Sequence, residues 1–400
     1  MCFMGVGAVC GSIATTTLSQ APAGQKGTAV KFRIERDVLA EGVAWAARTL
    51  PSRPTLPVLA ALRIEADADS VRVAGYDHEV FGQVAFDADV ADSGVALVSG
   101  RLLADITRAL PSRPVDLVAE AGKVTLTCGS SRFTLQSLPV EDYPTLPDVP
   151  ETVGAIPGPV LAEAVAQVAV ASGRDDMLPV LTGIRIEIED DRLTLAATDR
   201  YRLAVRELAW TPVRPGTSAV ALVPARSLAD SAKSFGSGDV EIGLGSSGLL
   251  GLSTTDRRST ARLIDGEFPK YRTLFPSESA TVARLSTASL VESVKRVALV
   301  ADRSSPVRLT FGDDDVTLEA SSGEDAQASE SLPADVVGEG LTIGFNPGYL
   351  LDGLGAIDAP VAVLSFTQAG RPAVLQGADD MDSPTHPDYR YLLMPVRLAG

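Results

Sequence analysis

The chain has 400 residues, 45% of them hydrophobic, with 35 Lys and Arg against 51 Asp and Glu and a formal net charge of −16. That length suggests two to four domains with ample core, and the hydrophobic residues fall in short dispersed runs, which excludes a disordered, collagen-like or coiled-coil chain. No apolar run reaches the roughly 18 residues of a membrane span, and the net acidity argues against a simple basic nucleic-acid binder, although net charge does not fix where the charges lie.

In chain order, residues 1–30 come first. They contain one charged residue, Lys26, and are rich in Gly, Ala, Ser and Thr, so they read as a disordered extension. A secretory signal is the rival reading, but no basic region precedes the modest apolar stretch from Met4 to Val9. The extension is read as a gene-start artefact, with Val30 encoded by a valine initiator codon; N-terminal sequencing of natively expressed protein decides.

A pattern then occurs three times, with a period of about 120–130 residues, which is too long for a solenoid unit and fits self-contained domains. Leu39-Ala40-Glu41, Leu161-Ala162-Glu163 and Leu290-Val291-Glu292 each open an amphipathic helix. A Pro motif follows each: Arg53-Pro54-Thr55-Leu56-Pro57, Met177-Leu178-Pro179-Val180 and Arg303-Ser304-Ser305-Pro306. Short alternating strands come next, such as Arg192 to Ala197 and Val316 to Ala320. A second helix starts near Ser99-Gly100-Arg101, near Pro224-Ala225-Arg226 and after Asn346-Pro347, where Asn346 suits an N-cap and Pro347 the first helical turn.

Further strands close each copy, and Pro-rich joints run from Leu138 to Pro150 and from Pro269 to Pro276. The expected fold is α+β, with two helices covering antiparallel sheets in each of three domains: 31–150, 151–278 and 279–400.

The three cysteines, Cys2, Cys10 and Cys128, form neither an even disulfide framework nor a CxxC pair, which fits a reducing cytoplasm. Structural zinc is not expected. The two histidines, His78 and His386, leave no material for a His-based metal centre, and His78 is expected in a turn. No cofactor is expected. Gly243-Leu244-Gly245-Ser246-Ser247-Gly248 matches GxGxxG, yet Leu249 to Ser253 continues as a strand where a dinucleotide site needs a helix, so it reads as a hairpin turn. No GxxxxGK[ST] loop is present. Asp313-Asp314-Asp315 and Asp379-Asp380 lack the spacing of a calcium loop and read as solvated turns. A carboxylate hydrolase and a protein-binding scaffold without DNA stand as the alternative functions.

Three copies with this ending resemble the bacterial DNA polymerase III β subunit family, the replicative sliding clamps. The signatures are Arg53 to Leu59, Ala197-Thr198-Asp199-Arg200-Tyr201-Arg202-Leu203, Phe268-Pro269-Lys270-Tyr271-Arg272 and Tyr391-Leu392-Leu393-Met394-Pro395-Val396-Arg397-Leu398. The resemblance covers about Lys31 to Gly400 and implies a head-to-tail homodimer. Its six domains form a ring around duplex DNA and tether the polymerase, without catalysis. A slider cannot read bases, since one specific base contact worth about 1–3 kcal/mol would make it pause, so it meets phosphates with dispersed Lys and Arg.

The resemblance places Arg53, Arg101, Arg108, Arg174, Arg226, Lys295 and Arg296 in a basic lining, each with an ordinary solvated charge as the alternative. This chain has Pro179 and Val180 where some relatives carry aromatic residues, and Gly348 where the other copies have Arg101 and Arg226. The implied partners are the polymerase α subunit, the clamp loader and other proteins carrying a clamp-binding peptide. Their groove would comprise Leu181, Thr198, Arg200, Arg202, Leu203, Pro269 and Leu274 with Asn346, Pro372, Leu392, Met394, Pro395, Val396 and Arg397. The Leu392 to Leu398 run also reads as an edge strand of the last sheet. The implied ring joint sets Phe133 and Leu135 against Leu299 and Val300 of a second copy, with internal core as the alternative for either pair.

Overall fold

The computed structural model describes residues 29–302, 305–322 and 325–398. Most of the amino-terminal extension, with Cys2 and Cys10, and the Arg303-Ser304 pair lie outside them.

Three helix pairs mark three similar units: α1 (Arg36–Ala46) with α2 (Gly100–Ala109), α3 (Gly158–Ala169) with α4 (Ala225–Ala232), and α5 (Thr287–Val297) with α6 (Pro347–Gly355). The first helix of each pair is entered directly from a strand, Val30–Ile34, Thr152–Pro157 or Thr281–Ser286. It therefore begins earlier than the Leu39, Leu161 and Leu290 motifs at which the sequence opened it. Leu39, Val43 and Ala46 are buried on α1, and Leu161, Val165 and Val168 on α3. Leu290, Val294 and Val297 repeat the spacing on α5, giving one apolar stripe per helix. Each fully buried Leu or Val of such a stripe contributes about 1.5–3 kcal/mol.

The sheets do not stop at the unit boundaries. Among the described residues there are four antiparallel sheets, and the two nine-stranded ones each join two units. At the first junction Val80–Asp87 pairs with Arg257–Arg262, with Val80 opposite Ala261. At the second, Arg202–Ala209 pairs with Tyr389–Leu393, with Arg202 opposite Leu393. The reading of Leu392 to Leu398 as an edge strand is thereby corrected. The strand is Tyr389–Leu393, and it lies inside the sheet because Ala373–Ala378 pairs along its other side. Two edges are left over: Ser131–Gln136 pairs only with Lys123–Cys128, and Gln327–Pro333 only with Asp315–Ser321, among the described residues.

The Pro-rich joints are packed rather than free. Period-2 alternation turns Ala96 and Val98 toward the helices and Leu97 to the opposite face, where Leu138, Val140 and Tyr143 cover it. Phe268, Tyr271 and Phe275 likewise cover Leu203, Leu222 and Leu392 in the second unit. The glycine-rich stretch is a hairpin between Asp239–Leu244 and Leu249–Ser253, with Gly248 at φ 68°. Cys128 is buried and unpaired. No group of three metal-ligating side chains occurs, and no helix is long and apolar enough to cross a membrane, among the described residues.

Candidate functional site

The site at the second junction is built on a turn. Asp199 accepts hydrogen bonds through Oδ1 from the backbone N–H groups of Tyr201 (3.0 Å) and Arg202 (3.1 Å), and the Thr198 hydroxyl donates to the Arg202 carbonyl (2.6 Å). This side-chain mimicry of a backbone turn fixes Arg200 at φ 80°, a region few non-glycine residues occupy.

Arg202 follows, only 5% exposed. Its Nε donates to Asp199 Oδ2 (3.0 Å), a terminal nitrogen donates to Asp352 on α6, and its guanidinium carbon lies 4.3 Å from the Tyr349 ring centroid. Burial opposes the charge, but the Asp352 hydrogen bond outweighs it and holds the guanidinium above the usual arginine range. Tyr349 also stacks on Tyr201, with ring centroids 6.2 Å apart. The start of α6 is held by Asn346, whose Oδ1 accepts from the Tyr349 N–H (3.1 Å), with Pro347 in the first turn, as the sequence predicts.

Around this network lies a cavity of about 510 Å³, within the size range of small-ligand sites. Of the groove residues read from the sequence, Leu181, Arg200, Arg202 and Asn346 line it. Met394 and Val396 are brought alongside: the Met394 N–H donates to the Tyr201 carbonyl (2.9 Å) and the Val396 N–H to the Gly344 carbonyl (2.8 Å). Pro395 lies between them, and Arg397 follows exposed, with no printed side-chain partner among the described residues.

The remaining expected members do not line the cavity. Thr198 is buried in the turn, while Leu203 and Leu392 are core beneath Phe268 and Tyr271. Pro269 and Leu274 are exposed on the covering joint, and Pro372 is half-buried before its strand. Arg174, expected at DNA, instead lines this cavity with Leu178, Asp199, Tyr201, Tyr349 and Asp352. Asp199 and Tyr201 sat inside the Ala197 to Leu203 motif and Tyr349 two residues past Pro347, so the signal was present for three of the five residues never placed in the groove.

The first junction repeats the scaffold. Asp77 Oδ1 accepts from the N–H groups of Glu79 (3.0 Å) and Val80 (2.7 Å), and His78 takes φ 76°, the turn expected for it. A second cavity, of about 380 Å³, lies there between the loop after α1, this turn and α4.

The chain matches the families described as DNA polymerase III beta subunit N-terminal domain over residues 30–147, central domain over 155–270 and C-terminal domain over 272–397. It is 55% identical over 376 residues to the beta sliding clamp of Streptomyces coelicolor, covering 93% of this chain and all of that one. The chain belongs to the beta sliding clamp family.

It is also 44% identical to the beta sliding clamp homolog GriR of Streptomyces muensis, over 92% of this chain and 99% of that one. A crystal structure of the Pseudomonas aeruginosa clamp bound to griselimycin superposes with a TM-score of 0.86 at 28% identity, covering 92% of this chain and all of that one.

The clamp's expected basic lining divides by partner. Arg101 donates to the Pro51 carbonyl (3.0 Å), Arg108 faces Asp105 (3.7 Å), Lys295 is bound to Glu292 (2.8 Å) and Arg296 to Glu330 (2.5 Å). Arg53 and Arg226 carry no ion pair among the described residues and face the same first-junction cavity. Of the expected ring-joint residues, Leu299 is 84% and Phe133 38% exposed, Val300 is half-buried, and Leu135 is core of its own sheet at 5%. For Leu135 the internal-core reading holds in the single chain, because its side of the Ser131–Gln136 strand packs inward.

Proposed function

We propose that two copies of this clamp close head to tail into a six-domain ring that encircles duplex DNA and tethers the replicative polymerase to it. The domains are 31–150, 151–278 and 279–400, and the chain itself carries out no reaction. The observation that carries this reading is the pair of leftover edges. At each internal junction, the third strand after a unit's first helix pairs with the closing strand of the next unit. Gln327–Pro333 is that third strand in the last unit, and Ser131–Gln136 is the closing strand of the first.

A second copy satisfies both edges by the same pairing, twice, and a heterologous contact whose rotation closes makes a ring. Phe133 on one edge, and Leu299 and Val300 beside the other unit's α5, supply apolar contact at the joint. Leu299→Asp is expected to shift sedimentation from dimer to monomer; a dimer of unchanged affinity would defeat the joint. After loading, the wild-type ring is retained on circular DNA and runs off linearised DNA.

The second-junction cavity, with Met394, Pro395 and Val396 beside it, is the groove for short linear peptides from the polymerase α subunit, the clamp loader and other clamp-binding proteins. Leu178, Leu181 and Tyr349 offer apolar contact to an anchor side chain, and the pliable Met394 suits varied partners. Met394→Ala weakens a polymerase tail peptide about tenfold while leaving the dimer intact; unchanged affinity counts against the groove. DNA meets the ring through sequence-independent phosphate contacts from Arg53 and Arg226, with Arg101, Arg108, Arg174 and Lys295 as further members.

A further inference from the structure

The first-junction cavity is the counterpart of the peptide groove in backbone only. Where α6 places Gly348 and Tyr349, α4 places Arg226 and Ser227, and where the second turn buries Arg202, the first has Val80. No guanidinium therefore bridges Asp77 to Asp230 as Arg202 bridges Asp199 to Asp352, and the space stays open at about 380 Å³. Three arginines, Arg48, Arg53 and Arg226, line it, and none has an ion pair or side-chain hydrogen bond among the described residues. In a chain of net charge −16, three unpaired guanidiniums around one cavity mark a site short of an anion.

The start of α4 faces the same space. Pro224 precedes it and supplies no side-chain cap, whereas α6 is capped by Asn346. The first N–H groups of α4 are thus left without the acceptor their counterparts have, and they add to the positive field. The Ser227 hydroxyl, without a partner among the described residues, adds a donor at the position of the Tyr349 ring.

We infer that this cavity is a seat for a backbone phosphate of the encircled duplex, held by Arg48, Arg53 and Arg226 with the start of α4. It rests on the reading of the chain as a clamp around DNA and assigns a role to Arg48, Ser227 and the uncapped helix. The chain grips DNA unevenly: one seat at each first junction, and at each second junction a groove whose corresponding space is occupied by Arg202 and Tyr349. A phosphodiester suits the seat better than an acidic peptide, because the groove's apolar anchor wall at Tyr349 is replaced by a hydroxyl.

The test uses the full chain and a fluorescent 24-base-pair duplex, with Arg48→Ala and, as a second variant, Ser227→Asp, which places a carboxylate where the phosphate would sit. Arg48 is exposed, so its variant keeps the wild-type melting temperature. Each variant is expected to bind duplex about tenfold more weakly at low salt, and Arg48→Ala to lower the slope of log K against log salt by about 1. Peptide binding at the second junction stays unchanged.

Wild-type duplex affinity and slope in both variants overturn the seat. Hexaglutamate binding that Arg48→Ala abolishes while duplex binding stays intact also overturns it, in favour of an acidic protein segment. If wild-type protein binds no duplex at all, the DNA reading itself has failed. Pyrophosphate then decides the seat alone: a melting-temperature rise lost in Arg48→Ala keeps it as an anion site, and no rise removes it.

Discussion

The two junctions inside the chain share one backbone and differ in what fills it. Asp77 and Asp199 cap their turns in the same way, and His78 and Arg200 take nearly the same left-handed φ, 76° and 80°. A side chain of each unit's first helix donates to a carbonyl just past the next unit's second helix: the Trp45 indole to Ser234 (3.2 Å) and the Gln167 amide to Ala356 (3.1 Å). On that common frame the second junction buries Arg202 between two carboxylates and an aromatic ring, while the first leaves a basic cavity. The difference teaches that the repeat fixes where a junction opens, and a few side chains on the turn and the facing helix decide what it can hold.

Removing the guanidinium at the second junction is the strongest way to break this contrast. Arg202→Ala leaves the buried Asp199 facing a void and strips Tyr349 of its cation contact. Breaking a buried pair costs about 3–5 kcal/mol, and the 46% exposure of the Asp352 side chain brings the expected loss to about 2–4 kcal/mol. Urea unfolding measures it, and groove peptide affinity falls with it. The converse variant, Val80→Arg, sets a guanidinium between Asp77 and Asp230. It is expected to fill the first cavity and weaken duplex binding even though it adds positive charge; tighter duplex binding would show that the cavity's shape is irrelevant.

How much of this was legible in the sequence follows the same division. The helices and their buried stripes were readable because Leu39, Val43 and Ala46 recur at helical spacing in all three copies. The Asn346 and Pro347 start was readable because a cap is local chemistry. Pairing between units was not: nothing in Tyr389 to Leu393 reveals that Arg202–Ala209, far away in sequence, lies beside it, so the strand read as an edge. Arg174 was assigned to DNA because its loop resembles that of Arg53, yet the turn at Asp199 draws its loop into the groove. The partners of Lys295 and Arg108 sit one helical turn away, which sequence could have shown; the partner of Arg296, Glu330, is on another strand, which sequence could not.

A smaller effect tests the joint that covers the second unit's outer sheet face. Burial alone would raise the Glu187 carboxyl, but hydrogen bonds from Arg272 (2.5 Å), Arg185 (2.5 Å) and the Tyr271 hydroxyl (3.0 Å) reverse this and hold it below the usual carboxylate range. A carboxyl depressed in the folded state contributes stability that is full above its unfolded pKa, about 4.3, and is lost as pH falls through the lower folded value. Glu187→Gln is therefore expected to cost about 1–2 kcal/mol at pH 7 and to flatten the acid limb of the stability curve below about pH 4. A variant with the same acid limb as wild type would place the pH dependence elsewhere.

The smallest change sharpens the contrast between capped and uncapped helices. Asn346→Ala removes the acceptor for the Tyr349 N–H and should cost about 1 kcal/mol, the usual worth of an N-cap. Its effect on the groove should exceed its effect on stability, because Tyr349 is held at once by the cap, by Arg202 and by Tyr201. Freed of the cap, the ring loses its fixed position and a groove peptide is expected to dissociate several-fold faster. Pro224→Asn at α4 runs the opposite way: a side chain that caps Ser227 and Leu228 competes with the phosphate for those N–H groups. The variant should gain up to about 1 kcal/mol in unfolding free energy while losing duplex affinity. A gain in both would mean that the open start of α4 is incidental to DNA.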